Sequence, residues 1–202
     1  MFRRCDFRGA SPGDGAGEYR FGCGTTKARA VCGMVEQVVK RRCTLKTILD
    51  DITDRVREDV PRLKKRMTLS DLESMEGFER PVRSFSSALK RKERQSPSQA
   101  VAVIAEVKKG SPSKGIFRPD RVFDPVTIAA QYMEAGAAAI SVLTNEPFFF
   151  GSTDHLQAIS RISEIPLLRK DFLIDPWQIA EARAYGADAV LLIEAILSPA
   201  QR

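Results

Sequence analysis

The chain has 202 residues, 43% apolar and 29% charged, an ordinary globular composition that is enough for one sizeable core. No apolar run approaches the ~20 residues of a membrane helix, and the N-terminus lacks the apolar region of a secretory signal, so the expected setting is cytoplasmic, with no membrane partner. Residues 1–43 hold nine Lys/Arg and four Asp/Glu, which is +5 of the net +6, so residues 44–202 are near +1 and are not a basic domain built for nucleic acid.

Residues 1–33 are rich in Gly and Arg without apolar period and read as a disordered leader, with Met34 as a candidate start. Cys5, Cys23, Cys32 and Cys43 show no C-x-x-C spacing and no nearby His, so free thiols are expected and no metal site. From Thr44, a candidate cap, Leu45, Ile48, Leu49, Ile52 and Val56 follow helical spacing, and Pro61 should end or bend that helix. Ser70 and Glu73 have capping-box spacing, and Phe85, Ala88 and Leu89 indicate a third short helix before a polar connector reaching Ala100.

After residue 100 the texture changes. Val101–Val107, Ala138–Leu143, Pro166–Arg169 and Ala189–Ile193 are short apolar runs without polar alternation, as in parallel strands covered on both faces. Helical stretches over Pro125–Ala135, Thr153–Ser163 and Pro176–Tyr185 lie between them, which is the α/β alternation. MEAGAAAISVL (133–143) and RAYGADAVLLI (183–193) form a weak internal repeat, each with a helix closing on a Gly suited to the left-handed conformation. The expected organisation is a basic leader over 1–43, a helical extension over 44–100 and a βα region over 101–202.

In such sheets ligands gather at the C-terminal ends of the strands. Glu106 and Lys108 end the first strand two residues apart, on one face. They are either an acid/base pair in a partly desolvated mouth or a structural ion pair at the rim. Lys109 should point the other way. Lys170 interrupts IPLLRKDF and either points inward, to polarise a carbonyl or deliver a proton, or reaches out to water, while Arg169 and Asp171 face the helix layer. Ser111 to Gly115 has the residue types of a phosphate or carboxylate loop, or is an ordinary turn; it is not a P-loop. Phe148 to Phe150 form either an aromatic wall for a flat ligand or packing for the N-terminal helices. His155, the sole histidine, reads as structural.

IAEVKKGSPSKG, SVLTNEPFFFGS, IPLLRKDFLID and GADAVLLIEAIL, with RSFSSALK upstream, resemble the indole-3-glycerol phosphate synthase family over about residues 44–202. The resemblance implies a (β/α)8 TIM barrel, here its first four βα units behind an N-terminal helical extension. It implies a carboxy-lyase of tryptophan biosynthesis that converts 1-(2-carboxyphenylamino)-1-deoxyribulose 5-phosphate to indole-3-glycerol phosphate, CO2 and water without metal or organic cofactor. Under it, Lys170 is the general acid that protonates the ketone, Lys108 holds the substrate carboxylate and takes part in acid catalysis, and Glu106 orients Lys108 and takes part in the dehydration. Ser111 contacts substrate, and Phe149, Phe172 and Leu191 wall the aromatic ring.

The family barrel has eight strands, and this sequence reaches Arg202 just after the fourth. The expectation is a fragment with little activity alone, and either self-association or a second chain supplying the other half barrel. The readings kept beside this one are another phosphate-sugar (β/α) barrel such as an isomerase, a binding module using the basic leader on nucleic acid, and a fragment without function.

Overall fold

The first helix, α1 (Ile48–Arg66), begins after Thr47, whose hydroxyl accepts the Asp50 N–H while the Asp50 carboxylate accepts the Thr47 N–H at 2.8 Å. The cap is therefore Thr47 and not Thr44, because only Thr47 has a carboxylate three residues later to return the bond. Pro61 lies inside α1 and does not end it. Pro61 is exposed, and so is Arg57, whose carbonyl loses its donor and faces water instead of the core.

The helix α2 (Leu69–Glu73) is capped by Thr68 with Asp71, two residues earlier than the Ser70–Glu73 match. That start turns Leu72, fully buried, onto Trp177. An unexpected turn, α3 (Glu76–Glu79), follows, and α4 (Phe85–Leu89) is capped by Ser84. The structure, a computed structural model, describes residues 46–90 and 101–201. The expectations for the leader, its cysteines, Met34 and residues 91–100 lie outside the described residues.

The strands are β1 (Ile104–Val107), the short hairpin β2 (Gly110–Ser111) and β3 (Gly115–Ile116), β4 (Ala139–Leu143), β5 (Leu167–Lys170) and β6 (Ala189–Val190). Between them lie α5 (Pro125–Glu134), α6 (Glu146–Phe149), α7 (Thr153–Ser160) and α8 (Pro176–Ala184). The main sheet is parallel with order β1-β4-β5-β6. This is the α/β alternation expected, with β1 and β6 shorter than their apolar runs. Asp124 and Asp175 cap α5 and α8, each with Pro in the first turn, where its missing N–H costs nothing.

Alternation divides the strands between two faces. Val107, Ile140, Val142 and Leu167 turn outward and pack with Ala129, Leu156, Ile159 and Ala182 beneath the helices. Ser141 and Leu143 lie on the other face, in register with Glu106 and Lys170. The N-terminal helices add two further clusters. Ile52, Val56 and Val60 of α1 meet Phe148, Phe149, Phe172 and Ile174. Leu72 packs with Trp177 and Ala184.

Both glycines of the internal repeat take the left-handed conformation, Gly136 at φ +84° and Gly186 at φ +92°. A methyl at Gly136 would meet open space, whereas at Gly186 it would lie 2.4 Å from the Ser160 side chain. Gly136→Ala is expected to cost about 1–2 kcal/mol, the left-handed penalty alone. Gly186→Ala should cost about 1–3 kcal/mol more, for the overpacking against Ser160. Urea denaturation of the two variants checks the order, and equal losses would contradict it.

Candidate active site

The strand ends deliver three charged side chains to one place. Lys170 Nζ donates to Glu106 Oε2 at 2.9 Å, and Lys108 Nζ lies 3.8 Å from Glu106 Oε1. β4 separates β1 from β5, so this bridge spans two interstrand spacings, roughly 9–10 Å of backbone. Ser141, in register with Glu106, keeps the intervening position small. Its hydroxyl is buried with no hydrogen-bond partner among the described residues. Tyr132 on α5 donates from its hydroxyl to the Glu106 carbonyl at 3.3 Å and ties down the backbone beneath the carboxylate.

Glu106 is therefore bonded to Lys170 more closely than to Lys108, the lysine that the sequence placed beside it. The side chains of Lys170 and Glu106 are 42% and 32% exposed. Exposed pairs of this kind are worth about 0–1 kcal/mol, too little for stability to explain two cations on one carboxylate.

Aromatic rings form the other side. Lys108 Nζ is 5.2 Å from the Phe149 ring centre and 5.8 Å from that of Phe117. Phe149 and Phe172 stack at 6.0 Å with 29° between planes. Of the two readings of the triple Phe, packing for the N-terminal helices is the one that the contacts show. Phe148 and Phe149 pack on α1, and Phe149 also meets Lys108 and Phe172. Phe150 is exposed and takes the left-handed conformation that closes α6.

Ser111 is buried in β2, in register with Gly115, so the expected loop is a tight hairpin. Leu191 continues the β6 ladder by donating its N–H to Arg169 at 3.2 Å, and its spacing from Ala189 sets it on the mouth face. Phe117 was missed by the sequence reading. Only the hairpin, which returns the Phe117 N–H to the Lys109 carbonyl at 3.0 Å, brings it over Lys108.

Lys109 points away, as its strand parity requires, with Nζ 6.0 Å from the Phe123 ring centre. His155 packs on the same Phe123 at 5.2 Å. Burial, and then the Lys109 charge, hold its imidazole below the ordinary value of 6.5. The folded chain thus binds this proton less tightly than the unfolded chain. The His155 contribution is complete above about pH 6.5 and is lost as the pH falls below it. Stability should drop as the pH falls below about 6.5, and His155→Phe should flatten that drop in urea titrations.

A cleft of about 370 Å³ lies on the opposite, helix-facing side of the sheet, lined by Arg62 and Arg66 of α1 and by Thr144, Arg169 and Asp171. None of Glu106, Lys108 or Lys170 lines it, and the convergence of charge and aromatic rings marks the mouth, not this cleft, as the candidate site.

The family model for indole-3-glycerol phosphate synthase matches residues 49–202. The chain belongs to the indole-3-glycerol phosphate synthase family. An indole-3-glycerol phosphate synthase of Dehalococcoides mccartyi is 51% identical over 151 residues, covering 73% of this chain and 55% of the relative. One from Salinibacter ruber is 49% identical over 157 residues, covering 77% and 55%, and one from Acinetobacter baumannii is 46% identical over 155 residues, covering 77% and 54%. The chain thus spans about half the length of these curated relatives. The family fold is a TIM barrel, and the parallel β1-β4-β5-β6 sheet with its covering helices is a partial (β/α) barrel behind N-terminal helices. Among the described residues no helix is long and apolar enough to cross a membrane.

Proposed function

We propose that this chain carries the acid-catalytic half of an indole-3-glycerol phosphate synthase site, acting on 1-(2-carboxyphenylamino)-1-deoxyribulose 5-phosphate in the cytoplasm. The observation that carries the reading is one carboxylate, Glu106, shared by Lys170 at 2.9 Å and Lys108 at 3.8 Å beside a stacked aromatic pair.

In this reading the substrate's aryl ring lies along Phe149, Phe172 and Leu191, and Lys108 holds its carboxylate. The ring carbon bearing that carboxylate attacks the ketone carbon. A C–C bond forms, and the carbonyl electron pair moves to oxygen, which takes a proton from Lys170. Loss of CO2 returns its bonding pair to the ring. The hydroxyl then leaves as water, with a second proton from an ammonium group, and the CH2 carbon beside the ring nitrogen gives its proton to the general base of the remaining half, so that its C–H pair becomes the C=C bond of the indole. Glu106 orients the lysines between these steps, and Ser111 contacts the substrate. No metal or organic cofactor enters the proposed sequence.

The partner this reading calls for is a segment or chain with the remaining barrel strands, including a general base and the phosphate loops; self-association is the other way to cover the sheet edges. The test joins residues 46–202 to the C-terminal half of the Dehalococcoides mccartyi relative. The chimera should release CO2 and form indole-3-glycerol phosphate from the substrate. Turnover of a sugar phosphate without CO2 release would overturn the reading in favour of an isomerase.

A further inference from the structure

Arg169 and Asp171 flank Lys170 and turn to the face opposite the mouth. The Arg169 side chain is 4% exposed and donates to Glu181 Oε2 at 2.7 Å, Thr144 Oγ1 at 3.0 Å, the Gln178 carbonyl at 3.1 Å and Asp171 Oδ2 at 3.3 Å. Two carboxylates therefore share one buried guanidinium, and they are not equivalent. Glu181 sits on α8, and among the described residues its carboxylate bonds to Arg169 and to neither segment that carries the aromatic pair. Asp171 is bonded to both. Its Oδ1 accepts the Phe172 N–H at 2.9 Å and Asn145 Nδ2 at 3.2 Å, and its Oδ2 accepts the Thr144 hydroxyl at 2.6 Å. Asn145 in turn accepts the Phe148 N–H at 3.2 Å and caps α6, the helix that presents Phe149.

We infer that Asp171 is a positioning residue for the aromatic wall: it sets Phe149 against Phe172 through the Asn145 cap and the Phe172 N–H, without touching substrate. The role as a wall for a flat anionic ring rests on the function proposed above. The spacing device itself rests on the hydrogen bonds alone. A buried carboxylate with this many donors is stiff, since each bond fixes a direction and any movement leaves a buried donor unpaired. Charge neutralisation of Arg169 does not explain the arrangement, because Glu181 offers the same charge at a shorter distance.

Two variants separate positioning from mere structure. Asp171→Asn and Glu181→Gln each remove one negative charge from Arg169 at similar burial. NMR of the present chain reads the ring-to-ring NOE between Phe149 and Phe172, and titration with anthranilate reads the wall. Asp171→Asn is expected to weaken that NOE and to raise the anthranilate Kd by about tenfold, while Glu181→Gln leaves both unchanged. Thr144→Val, which removes one bond to Asp171 and no charge, should move the rings the same way by less, and decides the matter if Asp171→Asn does not fold. Equal effects from the two charge variants, or an unchanged NOE in Asp171→Asn and in Thr144→Val, would overturn the inference. If the NOEs behave as expected but the unsubstituted chain binds no anthranilate, the positioning role stands and the proposed function fails.

Discussion

Replacing Lys170 with alanine in the chimera described above is expected to lower the rate of indole-3-glycerol phosphate formation by about 10²–10⁴, the usual contribution of a positioned general acid. The fold should survive, because Lys170 ends β5 with its side chain 42% exposed and bonds to Glu106, itself 32% exposed. Loss of such a pair costs about 0–1 kcal/mol. The effect should fall on kcat more than on KM, since the proton is needed where the alkoxide develops and less in the ground state. Lys108→Ala is expected to raise KM more strongly if, as proposed, Lys108 holds the ring carboxylate from its place beside Phe149 and Phe117. If Lys170→Ala turned over at the parental rate, Lys170 would not be the acid. The Glu106 bridge would then be only an ion pair at the strand ends.

The largest loss of stability is expected at Asp188, at the opposite ends of the strands. Its side chain has no exposure, and it accepts from Arg80 Nη2, from Arg83 Nε, and from the backbone N–H groups of Arg83 and Leu167, each at 2.9 Å. One carboxylate thus ties the chain between α3 and α4 to the first residue of β5. Burial pulls the Arg83 guanidinium below its usual value, and the Asp188 charge is what pushes it back up. Asp188→Ala would leave two partly buried guanidinium groups without their anion and the Leu167 N–H without an acceptor. Breaking a buried pair from one side costs about 3–5 kcal/mol. Asp188→Asn should cost less, because the amide oxygen still accepts from Leu167. Urea denaturation measures both. A loss below about 1 kcal/mol for Asp188→Ala would mean that Arg80 and Arg83 turn out to water on unpairing.

The parallel sheet was legible because its signal is local. Val107 of β1, Ile140 and Val142 of β4 and Leu167 of β5 pack under helices, so the strands stand out as apolar runs. The Asp-Pro pairs at the starts of α5 and α8 and the two left-handed glycines are local in the same way, since caps and φ angles are set within a few residues. Where two local signals overlapped, the sequence could not rank them. Thr68–Asp71 and Ser70–Glu73 both have capping spacing, and burial of Leu72 against Trp177 chose the first. Pro61 carries a helix-ending signal, yet α1 continues because Ile52, Val56 and Val60 already commit that helix to Phe148 and Phe172.

What the sequence by itself determined is that Glu106 and Lys108 share one face at the end of the first strand and that Lys170 stands at the end of the third, with its inward and outward readings both open. Which of them bond was decided by the tertiary structure, for a physical reason. Glu106 and Lys108 are neighbours in sequence, but the Glu106 carboxylate reaches past Ser141 to Lys170, 64 residues away, because β4 pairs with both strands and is small at that point. Phe117, Asp188 and the Asp171 network escaped the sequence reading for the same reason. Their partners lie across a hairpin, on another helix or on a neighbouring strand, and no spacing along the chain encodes a distance that only packing creates.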